Sequence, residues 1–249
     1  MKTETIENLK KWISDYVKSA YAKGVVLGMS GGKDSLIVAK LCADALGNEN
    51  VFGVIMPNGK MKDISDAIKT CRLLQIPYKI IDINKVYKKI ISDTKKTLKG
   101  QNTVLSDVTT INTAPRIRMT VLYAIAGSLN YLVANTSNLS EITVGYTTKW
   151  GDNVGDFAPL ATFTKTEVCE MGHMLALPKE LVDKIPSDGL SGKSDEEKLG
   201  FSYAELDKLI RTGERGEKFD LIMKKYKASQ HKRDGAVKFN QTEFENYVK

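Results

Sequence analysis

The chain has 249 residues, 42% of them hydrophobic, and a formal net charge of +7. That is ample for the core of one large α/β domain, and the longest apolar runs are far too short to span a bilayer. Lys10, Lys11 and Asp15 interrupt the first amphipathic stretch, which argues against a secretory signal. The basic excess suits polyanionic ligands, nucleic acid among them. Lys and Arg are nevertheless spread without a dense run, so charge alone selects no partner. Cys42, Cys71 and Cys169 have neither zinc-ribbon nor redox spacing, and reduced thiols in the cytosol are expected.

Residues 5–20 place Ile6, Leu9, Ile13, Tyr16 and Val17 at helical spacing, an amphipathic lead helix. Val25-Val26-Leu27 then reads as a buried strand. It is followed by the glycine turn Gly28-Met29-Ser30-Gly31-Gly32-Lys33-Asp34-Ser35 and a helix stopped at Gly47. Val51–Met56 is a second strand closed by Pro57-Asn58-Gly59. Asp63 starts a helix, Tyr78–Ile83 is a third strand, and Lys85–Ser92 is helical. The polar residues 93–113 read as a mobile connection. Pro115 opens a long helix to about Leu129, at a favourable first-turn position. Tyr131–Ala134 is a further strand, with a short helix after Thr136 and a loop-rich stretch over 146–163. Thr164-Lys165-Thr166-Glu167 is a capping box opening a helix that ends before Pro178. Residues 185–200, rich in Gly, Ser and Asp, read as a flexible lid or linker. Helices near 203–211 and 216–228 precede a basic, irregular tail. Strands alternating with helices imply a doubly wound parallel sheet with right-handed crossovers and ligands at the strands' carboxyl ends. No domain boundary stands out, so a single domain is expected.

Residues 28–35 carry the chemistry. A buried strand, a glycine turn and a helix start form the layout in which α/β proteins bind phosphates. Gly31 and Gly32 let the backbone approach an anion, while Ser30 and Ser35 add hydroxyl donors. Asp34 would repel a bare phosphate, which suggests an intervening cation such as Mg²⁺. A Walker A loop fails on spacing: Gly28 and Gly32 enclose three residues, and Lys33 is followed by Asp34. The segment resembles instead the SGGxDS loop of the N-type ATP pyrophosphatases. Lys33 fills the variable position, where its charge would steer ATP.

The second half narrows the resemblance. Asn-Thr-Ser-Asn-Leu-Ser-Glu from 135, Thr-Lys-Trp-Gly-Asp-Asn-Val-Gly-Asp from 148 and Pro-Leu-Ala-Thr-Phe-Thr-Lys from 159 precede a late His231-Lys232-Arg233. With the phosphate loop, these are similar to the GTDxxAE, TKYGDGGxD and PLxxLxK motifs of the NAD synthetase family. The similarity runs from about residue 6 to 235. It implies an adenine nucleotide alpha hydrolase-like fold and a homodimeric cytoplasmic ligase forming a C–N bond. Such an enzyme adenylates the carboxylate of deamido-NAD with ATP, releases pyrophosphate, and lets ammonia displace AMP. The partners implied are ATP, deamido-NAD and ammonia, without nucleic acid or membrane. No glutaminase domain is expected at this length.

The resemblance also implies site roles. Residues Gly28 to Ser35, Thr136, Lys165 and Ser187 would bind ATP. Asp34 and Glu141 would hold Mg²⁺ as hard oxygen ligands. Lys165 would neutralise phosphate charge from a first helical turn, a position the helix dipole disfavours for a cation. Arg116, Lys149, Asp156, His231 and Lys232 would bind deamido-NAD, with Asp152 a weaker candidate. Arg118, two positions from Arg116, faces elsewhere on a helix, and spacing to Glu141 selects Arg116. The chain departs from the family pattern where Asn135-Thr136-Ser137 replaces Gly-Thr-Asp and where Asn153-Val154 replaces a glycine pair.

Overall fold

The computed structural model describes residues 1–59, 64–184 and 194–236. The lead helix α1 (Thr3–Ser19) buries Ile6, Ile13 and Val17. Strand β1 (Gly24–Gly28) passes through the core and feeds α2 (Lys33–Leu46), which ends at Gly47. Next come β2 (Val51–Ile55), α3 (Ile64–Leu73), β3 (Tyr78–Ile80) and α4 (Asn84–Thr97). Helix α5 (Asp107–Leu129) leads to β4 (Tyr131–Val133), α6 (Leu139–Val144) and α7 (Lys165–Met174). The described helices close with α8 (Lys179–Val182), α9 (Asp195–Leu199), α10 (Tyr203–Thr212), α11 (Phe219–Ala228) and α12 (Gln230–Arg233).

The four strands pair in parallel in the order β3-β2-β1-β4, with Val26 opposite both Phe52 and Val133. Alternate residues of β1 enter different cores, as the pleat requires. Val25 and Leu27 pack with Ile37, Leu41, Val168 and Met171 of α2 and α7. Val26 packs on the other face with Val54, Val133, Ile117 and Ala126. Both faces are thus covered by helices, and the strands read as continuous apolar runs. A third cluster, built on Val144, Leu199, Phe201, Tyr203, Leu206 and Ile222, seats α10 and α11 against α6.

Four expectations need correction. The stretch 93–113 is largely helical. Helix α4 runs on to Thr97, and the side chain of Ser106 caps α5 by accepting from Thr109 N. Helix α5 therefore begins at Asp107, and Pro115 lies inside it, where the ring removes one backbone hydrogen bond. In the basic tail, residues 230–233 form α12. Within 185–200, Ser194 caps the short α9, while residues 185–193 lie outside the described chain.

Candidate active site

In the order β3-β2-β1-β4, the chain leaves β1 toward β2 on one side and returns through β4 on the other. The loops after β1 and β4 diverge over a crevice at their carboxyl ends, the switch point where open α/β sheets bind ligands. The glycine loop leaves β1 here. Gly31 takes φ +80°, a conformation favouring glycine. The two serines brace the turn: Ser30 Oγ accepts from Gly32 N at 3.2 Å and lies 3.1 Å from Ser35 Oγ, which donates to Gly32 O at 3.0 Å.

Two loop side chains turn away from this opening. Met29 is buried in the core, so only its backbone can serve a ligand. Lys33 was expected to steer ATP. It is 8% exposed instead, and its Nζ donates to Cys169 Sγ of α7 at 3.3 Å. As the first residue of α2, its side chain runs along the α2–α7 contact rather than into the crevice.

Asp34 and Glu141, 107 residues apart in the sequence, meet on one cation. Lys165 Nζ lies 2.6 Å from Asp34 Oδ2 and 3.0 Å from Glu141 Oε1. Asn138 ties the same group together. Its side chain accepts from Glu141 N at 3.0 Å and donates to Asp34 Oδ1 at 3.3 Å, while Glu141 Oε2 accepts from Asn138 N. This capping box starts α6 and orients the Glu141 carboxylate in one stroke. Thr136 stands in the turn between β4 and α6, and the cap duty falls on Asn138. Burial, with the charge of Asp34, pushes the Glu141 carboxyl up to about 7 against the pull of Lys165. Burial opposes charge on Lys165 as well, but Asp34 and Glu141 hold its pKa well above the usual lysine value. The disfavoured cation in the first turn of α7 is therefore held by these two acids.

Residues that the sequence reading missed hold Lys165 from behind. Lys165 N donates to Ser140 Oγ at 2.9 Å, and Thr166 N donates to Asp207 Oδ2 at 2.8 Å. Buried Asp207 also accepts from the hydroxyls of Ser140 and Thr166. Tyr203, one turn earlier on α10, sets its ring 5.4 Å from Lys165 Nζ. The sequence signal was an acid and an aromatic four apart, after the Ser202 cap, on a face that also carries Leu206.

A second group gathers beside the crevice. Arg116 Nε donates to Lys149 O at 3.2 Å, Lys149 Nζ to the carbonyls of His231 and Gly235, and Lys232 Nζ to Gly145 O and Thr147 O at 2.6 Å each. Arg116, Lys149, His231 and Lys232 thus come together, His231 through its backbone. Arg118 turns to Met56 O at 3.0 Å, at the end of β2. Asp156 bonds elsewhere: Oδ2 accepts from Val133 N at 2.7 Å and Oδ1 from the Tyr123 hydroxyl at 3.3 Å. It pins the loop to β4. Asp152 Oδ1 accepts from Thr148 N at 2.5 Å inside the same loop. The departures at Asn135 and Ser137 are structural, since both side chains donate to Asp152 O. Ser187 lies outside the described residues.

Among the described residues, no three His, Cys, Asp or Glu side chains cluster to hold a metal by themselves. A pair of carboxylates converging on one ammonium does suit a divalent cation that shares its coordination with phosphate oxygens. The arrangement can thus clamp a triphosphate over Lys165.

The NAD synthase family model matches residues 5–245. An NH(3)-dependent NAD(+) synthetase of Archaeoglobus fulgidus is 42% identical, over 93% of this chain and 94% of its own length. The NMN synthetase of Francisella tularensis superposes with a TM-score of 0.87 at 33% identity, covering 95% of this chain and 98% of that one. The NH3-dependent NAD synthetase of Campylobacter jejuni does so with a TM-score of 0.77 at 32% identity, over 96% of this chain and all of its own. With a family match across nearly its whole length, this chain belongs to the NAD synthase family.

Proposed function

We propose that the protein makes NAD from deamido-NAD, ATP and ammonia. The nicotinate carboxylate oxygen attacks the α-phosphorus of ATP. The bond from that phosphorus to the bridging oxygen breaks, and pyrophosphate leaves with its electron pair. Ammonia then adds to the acyl carbon, loses a proton, and AMP departs with the carboxylate oxygen, leaving the amide. No covalent link to the protein is needed, so catalysis is positioning and charge neutralisation.

The observation that carries this reading is the meeting of Asp34, Glu141 and Lys165 at the switch point. Asp34 and Glu141 would hold Mg²⁺, whose charge neutralises the phosphates when bound. Lys165, displaced from its acids, would turn its ammonium toward the negative charge growing on the leaving pyrophosphate. Loop N–H groups over 28–35 would cradle the phosphates, with Thr136 and Ser187 at the rest of ATP. Arg116, Lys149, Asp156, His231 and Lys232 would frame the dinucleotide. Homodimerisation in the cytoplasm belongs to the same proposal. It is supported by the half-exposed Trp12–Tyr16 stack at the surface of α1 and by the reduced cysteines.

The Francisella neighbour favours a second reading, a nicotinate mononucleotide as acceptor in place of the dinucleotide. One experiment separates them. Purified protein is given ATP, Mg²⁺ and ammonium with either acceptor, and AMP, NAD and NMN are quantified. NAD and AMP formed in equal amounts support the proposal. NMN without NAD selects the second reading, and no AMP with either acceptor rejects both.

A further inference from the structure

Tyr203 carries a polar group with no structural use. The residue is 6% exposed, its hydroxyl is buried, and among the described residues that hydroxyl has no hydrogen-bond partner. A buried donor left unpaired is destabilising, and phenylalanine would fill the same space without that cost. The ring lies beside Lys165, 5.4 Å from Nζ to centroid. The acceptors of this cluster are already engaged: Asp34 and Glu141 by Lys165 and Asn138, Asp195 by the Tyr146 hydroxyl. Burial and the charges of Glu141, Asp195 and Asp34 push the Tyr203 pKa up, so the phenol keeps its proton and remains a donor. A neutral, buried donor with no partner among the described residues, beside Lys165, is free to take an acceptor that a ligand brings.

We propose that Tyr203 is a ligand-contacting residue, its ring holding Lys165 in place and its hydroxyl donating to an oxygen of the ATP phosphate chain. This rests on the ATP-dependent reading above and adds α10 to the site. The ring and hydroxyl make separable contributions, which a conservative pair of substitutions distinguishes.

The test compares wild type, Tyr203→Phe and Tyr203→Leu in melting temperature with and without Mg²⁺ and ATP, and in kcat and KM for ATP. Tyr203→Phe, still folded around the same ring, is expected to melt at or above the wild-type temperature without ligand. It should show a smaller ATP-induced shift and a loss in kcat/KM for ATP of about 10- to 100-fold, the worth of one hydrogen bond to a charged group. Tyr203→Leu should lose more and melt lower without ligand. Wild-type kcat/KM in Tyr203→Phe would overturn the proposal. So would a ligand-free melting temperature as low as that of the leucine variant, since the hydroxyl would then have a partner inside the protein. The ATP-induced shift is read without any product. A wild type that makes no NAD, yet shows a shift that Tyr203→Phe diminishes, would overturn the deamido-NAD reading and support the Tyr203 contact.

Discussion

Lys165 Nζ lies 2.6 Å from Asp34 Oδ2, closing a contact between residues 131 positions apart at the mouth of the crevice. Glu141 completes the trio, and the carboxylate side chains keep only 15% and 19% of their exposure. Removing the ammonium leaves two adjacent acids facing each other in a poorly solvated place. Breaking a fully buried pair costs about 3–5 kcal/mol, so Lys165→Met should cost about 1–3 once the residual exposure is discounted. The vacated pair should also bind a cation. Mg²⁺ without nucleotide is expected to raise the melting temperature of Lys165→Met more than that of wild type. An equal response in both proteins would remove Asp34 and Glu141 as a metal pair.

Asp207 supports Lys165 at one remove. Its carboxylate takes Thr166 N and the hydroxyls of Ser140 and Thr166, and Ser140 in turn takes Lys165 N. Asp207→Asn can accept at one atom only, and it presents an amide N–H₂ to a donor. A loss of about 1–3 kcal/mol in urea denaturation is expected, together with a fall in kcat as Lys165 shifts. Unchanged kcat in a destabilised Asp207→Asn protein would confine Asp207 to folding.

Local rules explain what the sequence disclosed. The glycine loop, the Thr164–Glu167 capping box and the apolar strands are each set by neighbours within a few residues, so they were legible. The convergence of Asp34 with Glu141 was implied by the resemblance to the NAD synthetase family. What stayed hidden depends on tertiary packing. Lys33 looks like a ligand lysine in the loop, but the α2–α7 contact captures it. Asp156 reads as a dinucleotide residue, and nothing local in the sequence shows that its carboxylate also pins the loop to β4 by accepting from Val133 N. Pro115 carries the conventional signal for a helix start, but the cap that starts α5 is the Ser106 side chain. Tyr203 and Asp207 sit four apart in a helix with no chemical motif, and packing of α10 against α6 and α7 is what brings them to Lys165.

Gly155 has no room for a side chain. A Cβ there would lie 2.7 Å from Asn135 Cβ and 2.8 Å from Asn135 N, and the backbone atom cannot swing aside. Because Asn135 also holds Asp152 O and Val154 O, an alanine would push the 152–156 loop off β4. Overpacking of this kind costs about 1–3 kcal/mol. Gly155→Ala is expected to lose that much stability and to raise KM for deamido-NAD more than KM for ATP. An equal rise in both would detach this loop from the dinucleotide.

Lys33 provides the opposite case, a charged residue in a motif whose removal should be harmless. Its ammonium is buried against Cys169 Sγ, a weak acceptor, and replacing buried charge by an apolar chain of similar volume is often neutral or stabilising. Lys33→Met should keep the wild-type KM for ATP and melt at the same temperature or higher. A tenfold or larger increase in that KM would return Lys33 to the phosphates.

Alkaline stability should depend on Cys42, which lies fully buried on α2. Burial raises its thiol from the ordinary value near 9 to about 12, and Cys71 is raised by burial to about 11. Between pH 9 and 12 the unfolded chain loses the Cys42 proton while the folded chain retains it. The unfolded state therefore binds fewer protons, and stability falls as pH rises through this window. The contribution approaches about 1.4 kcal/mol per pH unit for this thiol, with Cys71 adding its share between pH 9 and 11. Below pH 9 both states hold the proton, and the contribution is flat. Cys42→Ala adds a cavity cost at every pH but removes the Cys42 slope. Denaturation curves of the two proteins should converge as pH rises from 9 to 12. Curves that stay parallel across that range would mean that Cys42 ionises as readily in the fold as outside it.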